Sequence, residues 1–208
     1  MAEGYDRIAG RYAEWTAHDV SDEVRARYLH VLFERVPPGA RVLDLGCGGG
    51  GPTTAALAAR YVLTGVDISA KQIELSRQNL PSATFLHADM TRVDFPDAHF
   101  DAVVSFYAFL HLPHGELAPL VEKISAWLRP GGLFVATLAG GVDRGTVEPD
   151  FLGVPMFFSG YPPEENRRFL EHSGLAVHLL RREQILEDGR PVGFLWAVAQ
   201  KPAGRVRG

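Results

Sequence analysis

Val42-Leu43-Asp44-Leu45-Gly46-Cys47-Gly48-Gly49-Gly50-Gly51-Pro52 is the stretch that decides the fold. An apolar run carrying one carboxylate, Asp44, reads as a buried strand; it turns sharply through glycines and re-enters a helix at Pro52, a first helical position where a missing N–H costs nothing. Glycine is needed in such a turn because a bulky ligand must lie against the backbone and because the dihedrals forbid side chains. The stretch therefore predicts a ligand loop between a strand and a helix.

Working outward, residues 52–60 read as helix and 61–66 as the next strand, ending at Asp67. Asp67 follows the glycine loop by roughly twenty residues, the interval at which a carboxylate at the second strand's end meets ribose hydroxyls. Ser69-Ala70-Lys71-Gln72 has capping-box spacing and starts another helix. Gln72 serves that box alone or also reaches the ribose. Strands follow at 83–87, ending in Ala88-Asp89-Met90, at 100–105 and at 133–138, with a helix over 118–128 and a turn at Arg129-Pro130-Gly131-Gly132. Apolar strands separated by helices predict a parallel sheet covered on both faces.

The two ends differ. Residues 6–36 read as two helices broken near His18-Asp19-Val20-Ser21, with Ser21 capping the second. Ile8, Tyr12 and Trp15 share one face, Ile8 and Trp15 as core, while Tyr5 and Tyr12 suit a lid over a ligand site. After a Gly-rich, aromatic connection over 139–161, a helix spans 163–172, and two strands at 177–183 and 192–199 flank Glu187-Asp188-Gly189-Arg190, whose Asp-Gly pair signals a hairpin.

The chain has 208 residues, 46% of them apolar, enough for one well-buried domain. The expected division is a single domain over 1–200, with a helical lid at 1–38, a cofactor-binding core at 39–138, a substrate-side loop, helix and hairpin at 139–200, and a tail at 201–208. A net charge of −4 without a dense basic run disfavours nucleic acid. Cys47 is the only cysteine, so neither a disulfide framework nor a Cys-rich metal site is expected. No basic leader or bilayer-length apolar segment stands out, which predicts a cytoplasmic protein away from membranes, as monomer or homodimer.

The glycines Gly46-x-Gly48-x-x-Gly51 also satisfy the dinucleotide fingerprint. Asp44, however, would repel a pyrophosphate and suits a cationic amino group, and Asp89 can accept from an adenine amino group. Together with the C-terminal hairpin, Asp44 to Gly50, Asp67, Asp89-Met90, Phe100 to Ser105 and Leu128 to Gly132 resemble the motifs of the class I S-adenosylmethionine-dependent methyltransferases, in order. The resemblance extends from about Tyr5 to Ala199. The opening Tyr5 to Tyr12 and the Phe106 to Pro113 loop look like the family's small-molecule branch, and Ser105-Phe106-Tyr107-Ala108 stands where amino-methylating enzymes of DNA carry an Asn/Asp-Pro-Pro-Tyr-like tetrapeptide.

The resemblance implies a doubly wound, Rossmann-like, seven-stranded and mostly parallel sheet with the last strand inserted antiparallel. It implies S-adenosyl-L-methionine as cofactor, S-adenosyl-L-homocysteine as product, and a small organic acceptor methylated on O, N or C. Its cofactor would meet Tyr5, Tyr12, Asp44, Gly46, Cys47, Gly48, Asp67, Ile68, Gln72, Asp89, Met90 and Phe106. His111 would stand where acceptor and sulfur meet, either as a proton acceptor or merely bonding its loop or the cofactor carboxylate. No metal is expected. The aromatics of 151–161 line an acceptor pocket, pack their loop on the sheet, or form a dimer contact. A non-catalytic adenosine-cofactor binder, an NAD(P)-dependent oxidoreductase and, further off, an RNA methyltransferase are the competing readings.

Overall fold

The computed structural model of the chain describes residues 1–18, 20–21, 23–141 and 143–204. In chain order its elements are α1 (Ala2–His18), β1 (Val20–Ser21), α2 (Glu23–Arg35), β2 (Arg41–Leu45), α3 (Pro52–Ala58), β3 (Val62–Asp67), α4 (Ala70–Asn79), β4 (Thr84–His87) and β5 (Phe100–Ser105). A 3-10 turn (Phe109–His111) leads to α5 (Leu117–Trp127), β6 (Leu128–Ala139), β7 (Asp143–Phe151), β8 (Val154–Gly160), α6 (Pro163–His172), β9 (Ala176–Glu187) and β10 (Arg190–Gln200).

The main sheet has the order β1-β9-β10-β6-β5-β2-β3-β4. Strands β4, β3, β2, β5 and β6 are parallel. β10 is inserted antiparallel between β6 and β9. This is the expected seven-stranded sheet, extended at one edge by the two-residue β1. The chain reverses its winding between β2 and β5, and such a switch point opens a crevice at the carboxyl ends of the strands.

Side chains alternate across each strand, so the sheet feeds two cores. Leu43, Leu45, Val103 and Phe134 face one way, against Ile124 and Trp127 of α5 and Leu170 of α6. Val42, Val104, Val135 and Trp196 face the other, against Tyr28 and Leu32 of α2 and Leu57 of α3. Because both faces are covered, the central strands read as continuous apolar runs.

Several expectations need correction. The 139–161 connection is a separate two-stranded sheet, β7 with β8, interrupted by register shifts. Glycines and prolines within 145–155 broke the alternation that would have revealed it. Val154 and Met156 of this hairpin bury Ile8 of α1, so Ile8 is core as expected. Trp15 is not; it stands half-exposed, and its Nε1 donates to Asp188 Oδ1 at 2.9 Å, at the tip of the β9–β10 hairpin. The turn at 129–132 is absorbed into β6 as a bulge, the pairing passing from Phe100↔Leu128 to Ala102↔Leu133. Lys201 is no tail residue, since its Nζ donates to the carbonyls of Ser125 at 2.7 Å and Leu128 at 2.8 Å and satisfies the end of α5. The cap expected from the Ser21 side chain and the end of the tail, 205–208, lie outside the described residues.

Gly65 in β3 illustrates how closely the site's supports approach one another. A Cβ there would lie 2.7 Å from ring carbons of Phe85 and 2.9 Å from Cys47 Sγ, both buried. Gly65→Ala is expected to lower stability by about 1–3 kcal/mol, the usual cost of overpacking, read as a lower denaturant midpoint. An unchanged midpoint would show that this packing is slack.

Candidate active site

The parallel strands end on one side of the sheet and deliver the loops that form the site. Gly46 N and Cys47 N both donate to Val66 O, at 2.8 and 3.1 Å, folding the glycine loop over the end of β3. Gly46 (φ +80) and Gly48 (φ +58) occupy the left-handed region. A Cβ at Gly46 would collide with that of Ala108, in the loop after β5. A Cβ at Gly48 would meet nothing within 4 Å, so this part of the backbone faces open space.

That space is a chamber of about 380 Å³. Of the residues singled out in the sequence, Tyr5, Tyr12, Gly46, Gly48, Asp67, Ile68, Gln72, Asp89, Met90, Phe106 and His111 line it. Asp44 and Cys47 do not. Cys47 turns into a small apolar cluster with Ile73 and Phe85, and burial pushes its thiol well above the usual range. Asp44 lies beneath the loop, 3% exposed, where its Oδ2 accepts from Thr54 Oγ1 at 3.0 Å. Burial pushes its carboxyl up to about 7; the Thr54 bond opposes the rise and the Asp67 charge adds to it.

Asp67 joins three pieces of chain. Its Oδ2 accepts from Gly48 N and its Oδ1 from Ser69 N, both at 2.9 Å. Burial raises its pKa while these two bonds hold it down. Ser69 caps α4 as expected, accepting from Gln72 N at 3.1 Å. The reciprocal half of the box is absent, because Ser69 N goes to Asp67. The Gln72 side chain lies against the glycine loop instead, its Oε1 being 2.8 Å from where a Cβ of Gly49 would stand. Ser69 Oγ donates to Asp6 Oδ1 at 2.6 Å, and Lys71 N to the same oxygen at 3.1 Å, which fastens α1 beside the chamber. Asp89 accepts at Oδ1 from Thr91 N and Oγ1, at 2.9 and 2.8 Å, while Oδ2 stands 3.7 Å from Arg92 Nε.

A second chamber of about 500 Å³ adjoins the first and shares Tyr5, Tyr12, Tyr107 and His111 with it. Its own wall includes Trp15, Phe151, Phe158 and Phe194, with Arg25 and Glu148 among its charged groups. Phe151 and Phe158 thus line a cavity, while Val154 and Met156 pack their hairpin on α1. His111, 8% exposed, stands at the junction, with Nδ1 2.8 Å from Phe157 O and Nε2 2.8 Å from Tyr5 Oη. Burial lowers its pKa to about 4, so the ring is neutral near pH 7.

Sequence reasoning missed Tyr107, Ala108, Thr91 and Arg92 on the first chamber's wall and Arg25 on the second's. Tyr107 has φ +60, rare for a non-glycine residue, and its ring lies between Phe194 at 4.8 Å and the Arg25 guanidinium at 4.7 Å. Tyr107 and Ala108 lie in the loop just beyond β5 and Thr91 and Arg92 in the loop beyond β4, and that position is the signal that could have found them. Arg25, on α2, carries none. Among the described residues no group of His, Cys, Asp and Glu is arranged to hold a metal, and no helix is long and apolar enough to cross a membrane.

Known proteins share the chain's sequence pattern and fold. A family model for a methyltransferase domain matches residues 42–132. The 2-methyl-6-phytyl-1,4-hydroquinone methyltransferase of Synechocystis sp. is 26% identical over 97% of this chain and 73% of its own length. The structure of a Burkholderia thailandensis 1,6-didemethyltoxoflavin-N1-methyltransferase, with 1,6-didemethyltoxoflavin and S-adenosylhomocysteine bound, superposes with a TM-score of 0.73 over 97% of this chain and 87% of that one, at 17% identity. The N-methyltransferase NodS of Bradyrhizobium japonicum, in complex with S-adenosyl-L-homocysteine, gives a TM-score of 0.75 at 17% identity, covering 97% and 98% of the two chains. At such identities the two structures share the fold.

Asp44 supplies a measurable pH dependence. With its pKa near 7 in the folded chain and about 3.9 when unfolded, the folded state holds the proton more tightly, so stability falls as pH rises from about 4 to 7. Asp44→Asn should therefore melt at a higher temperature than the ligand-free parent at pH 8, with the gain much smaller at pH 5 and approaching zero only below about pH 4. Equal melting curves at both pH values would refute the buried-carboxylate account.

Proposed function

We propose that this chain, a class I S-adenosylmethionine-dependent methyltransferase, moves a methyl group onto an oxygen, nitrogen or carbon of a small organic acceptor. The observation that carries the reading is Gly48, whose bare backbone opens into a chamber joined at His111 to a second, largely aromatic one. Cofactor and acceptor then have separate compartments with a common boundary. Within the chain, α1 serves as lid, 39–138 as cofactor core and 139–200 as acceptor side; the rest of the expected 1–38 lid, α2, belongs to the body of the fold, with Tyr28 and Leu32 in the core.

The first chamber's chemistry fits the cofactor. Asp67, at the end of β3, takes the ribose hydroxyls with Gln72 beside it, and Ile68, Asp89 and Met90 take the adenine side. Asp44 and the backbone of Gly46, Cys47 and Gly48 favour a cationic amino group, since a carboxyl pushed up by burial is a place where positive charge is welcome. Tyr5, Tyr12 and Phe106 offer ring faces to a cation. S-adenosylmethionine, when bound, supplies a methyl group that its sulfonium has already activated. What remains for the protein is alignment and exclusion of water. α1 and the β7–β8 hairpin cover the junction, and the walls formed by Trp15, Phe151, Phe158 and Phe194 suit a flat, apolar or aromatic acceptor. The hydroquinone and toxoflavin substrates in the names of the similar enzymes support an acceptor of this kind.

The test is incubation with methyl-labelled S-adenosylmethionine and a panel of small phenols, carboxylates, amines and heterocycles, alongside calorimetry of the cofactor. Labelled product with stoichiometric binding is expected; failure to bind S-adenosylmethionine or S-adenosylhomocysteine would overturn the reading. Asp67→Asn should weaken cofactor binding tenfold or more, on the roughly 1.5–3 kcal/mol scale of hydrogen bonds to charged groups. Undiminished calorimetric affinity would remove Asp67 from the ribose.

A further inference from the structure

The hydrogen bonds around His111 assign its tautomer. Phe157 O, 2.8 Å from Nδ1, is an acceptor only, so Nδ1 carries a proton and donates it. The buried ring is neutral, which leaves Nε2 with a lone pair and no proton. Tyr5 Oη, 2.8 Å from Nε2, must therefore be the donor in that bond. A phenol has one hydrogen, and Tyr5 has committed it. Towards any third partner its oxygen can only accept. Because Tyr5 and His111 line both chambers, that accepting oxygen belongs to the boundary between them.

We propose that Tyr5 is the catalytic residue that touches the acceptor, taking its proton and passing a proton on to His111, and that the acceptor is accordingly one bearing an O–H or ring N–H of phenol, enol or heterocycle type. The inference rests on the methyltransferase reading above. In the step, the acceptor's X–CH3 bond forms as the S–CH3 bond breaks. The acceptor's X–H bond breaks towards Tyr5 Oη, and the hydrogen already on Oη moves to Nε2. Tyr5 ends as it began, neutral; His111 becomes an imidazolium with Nδ1 still donating to Phe157 O, and releases its proton to solvent when the site opens.

Charge favours this order of events. One positive charge is present before the step, on sulfur, and one after it, on His111. A neighbouring cation disfavours protonation of an imidazole, so His111 stays neutral while the methyl donor is loaded and gains basicity as the sulfonium charge disappears. Burial raises the Tyr5 phenol well above its usual range, with Tyr12 and Asp67 adding to the rise, so Tyr5 relays a proton rather than standing as a phenolate. The other charged and titratable groups around the pair are the Met1 amino group, Asp89, Arg92 and Glu116 on the first chamber, Arg25, Glu148 and Glu187 on the second, and Tyr107 on both.

The full-length protein with 15N-labelled histidine, saturated in turn with S-adenosylmethionine and S-adenosylhomocysteine, tests the proposal by nuclear magnetic resonance, with the His111 signal identified by its loss in His111→Asn. The expected result is an Nδ1–H tautomer in both complexes and a proton affinity roughly tenfold or more higher in the S-adenosylhomocysteine complex. Tyr5→Phe should lower kcat on a phenolic acceptor at least a hundredfold while S-adenosylmethionine affinity by calorimetry stays within threefold. A merely fastening role for the Tyr5 hydroxyl would loosen the lid and weaken cofactor binding instead. An Nε2–H tautomer, equal proton affinity in the two complexes, a Tyr5→Phe rate within threefold of the parent, or turnover of tertiary amines but of no O–H or N–H acceptor would each overturn the relay. Those outcomes leave cofactor binding intact, whereas absent binding would overturn the methyltransferase reading itself.

Discussion

The Asp67 carboxylate holds the glycine loop and the start of α4 together, and everything at the mouth of the sheet depends on that pair of bonds. Gly48 N and Ser69 N each reach one of its oxygens at 2.9 Å. Hydrogen bonds to an ionised group are the stronger kind, and here they work against burial, which pulls the carboxyl towards its neutral form. The same residue faces the chamber. Structural and ligand-facing roles thus coincide in one side chain at the strand's carboxyl end, where a parallel sheet concentrates its binding loops.

From Asp67 the connections continue into α1. Ser69 follows two positions later and donates to Asp6, so the cap of α4 is also a fastening point for α1. Ile8, two residues further along the same helix, is buried against Val154 and Met156, and Tyr5 reaches His111. Helix α1 is thereby tied to the glycine-loop side, to the β7–β8 hairpin and to the turn after β5. It stands across both chambers, which is why their shared boundary contains two of its tyrosines.

His111 shows how position and electrostatics combine. Burial removes its positive charge, a carbonyl chooses its tautomer, and a phenol occupies its lone pair. None of these features belongs to histidine as such. Each comes from a different element, the turn after β5, the β7–β8 hairpin and α1, and only their meeting makes the ring a directed acceptor.

The alternating sheet and helices, the glycine loop, the strand-end acids, the Ser69 cap and the closing hairpin were all legible in the amino-acid sequence, because each is written in a few contiguous residues whose backbone choices are local. Gly48 must be bare and Asp67 must end a strand whatever surrounds them. What depended on tertiary structure was which side chains meet. Trp15 has the spacing of a core residue, yet it leaves the core for the hairpin tip at Asp188, far along the chain. The second hairpin is hidden because Val154 and Met156 find their apolar partner in α1 and not within their own pattern. Tyr5 and His111 are separated by 106 positions. Periodicity reports only which face a residue occupies, whereas contacts over such separations are decided by how the helices and hairpins close on the sheet, and those closures placed the chambers' shared wall.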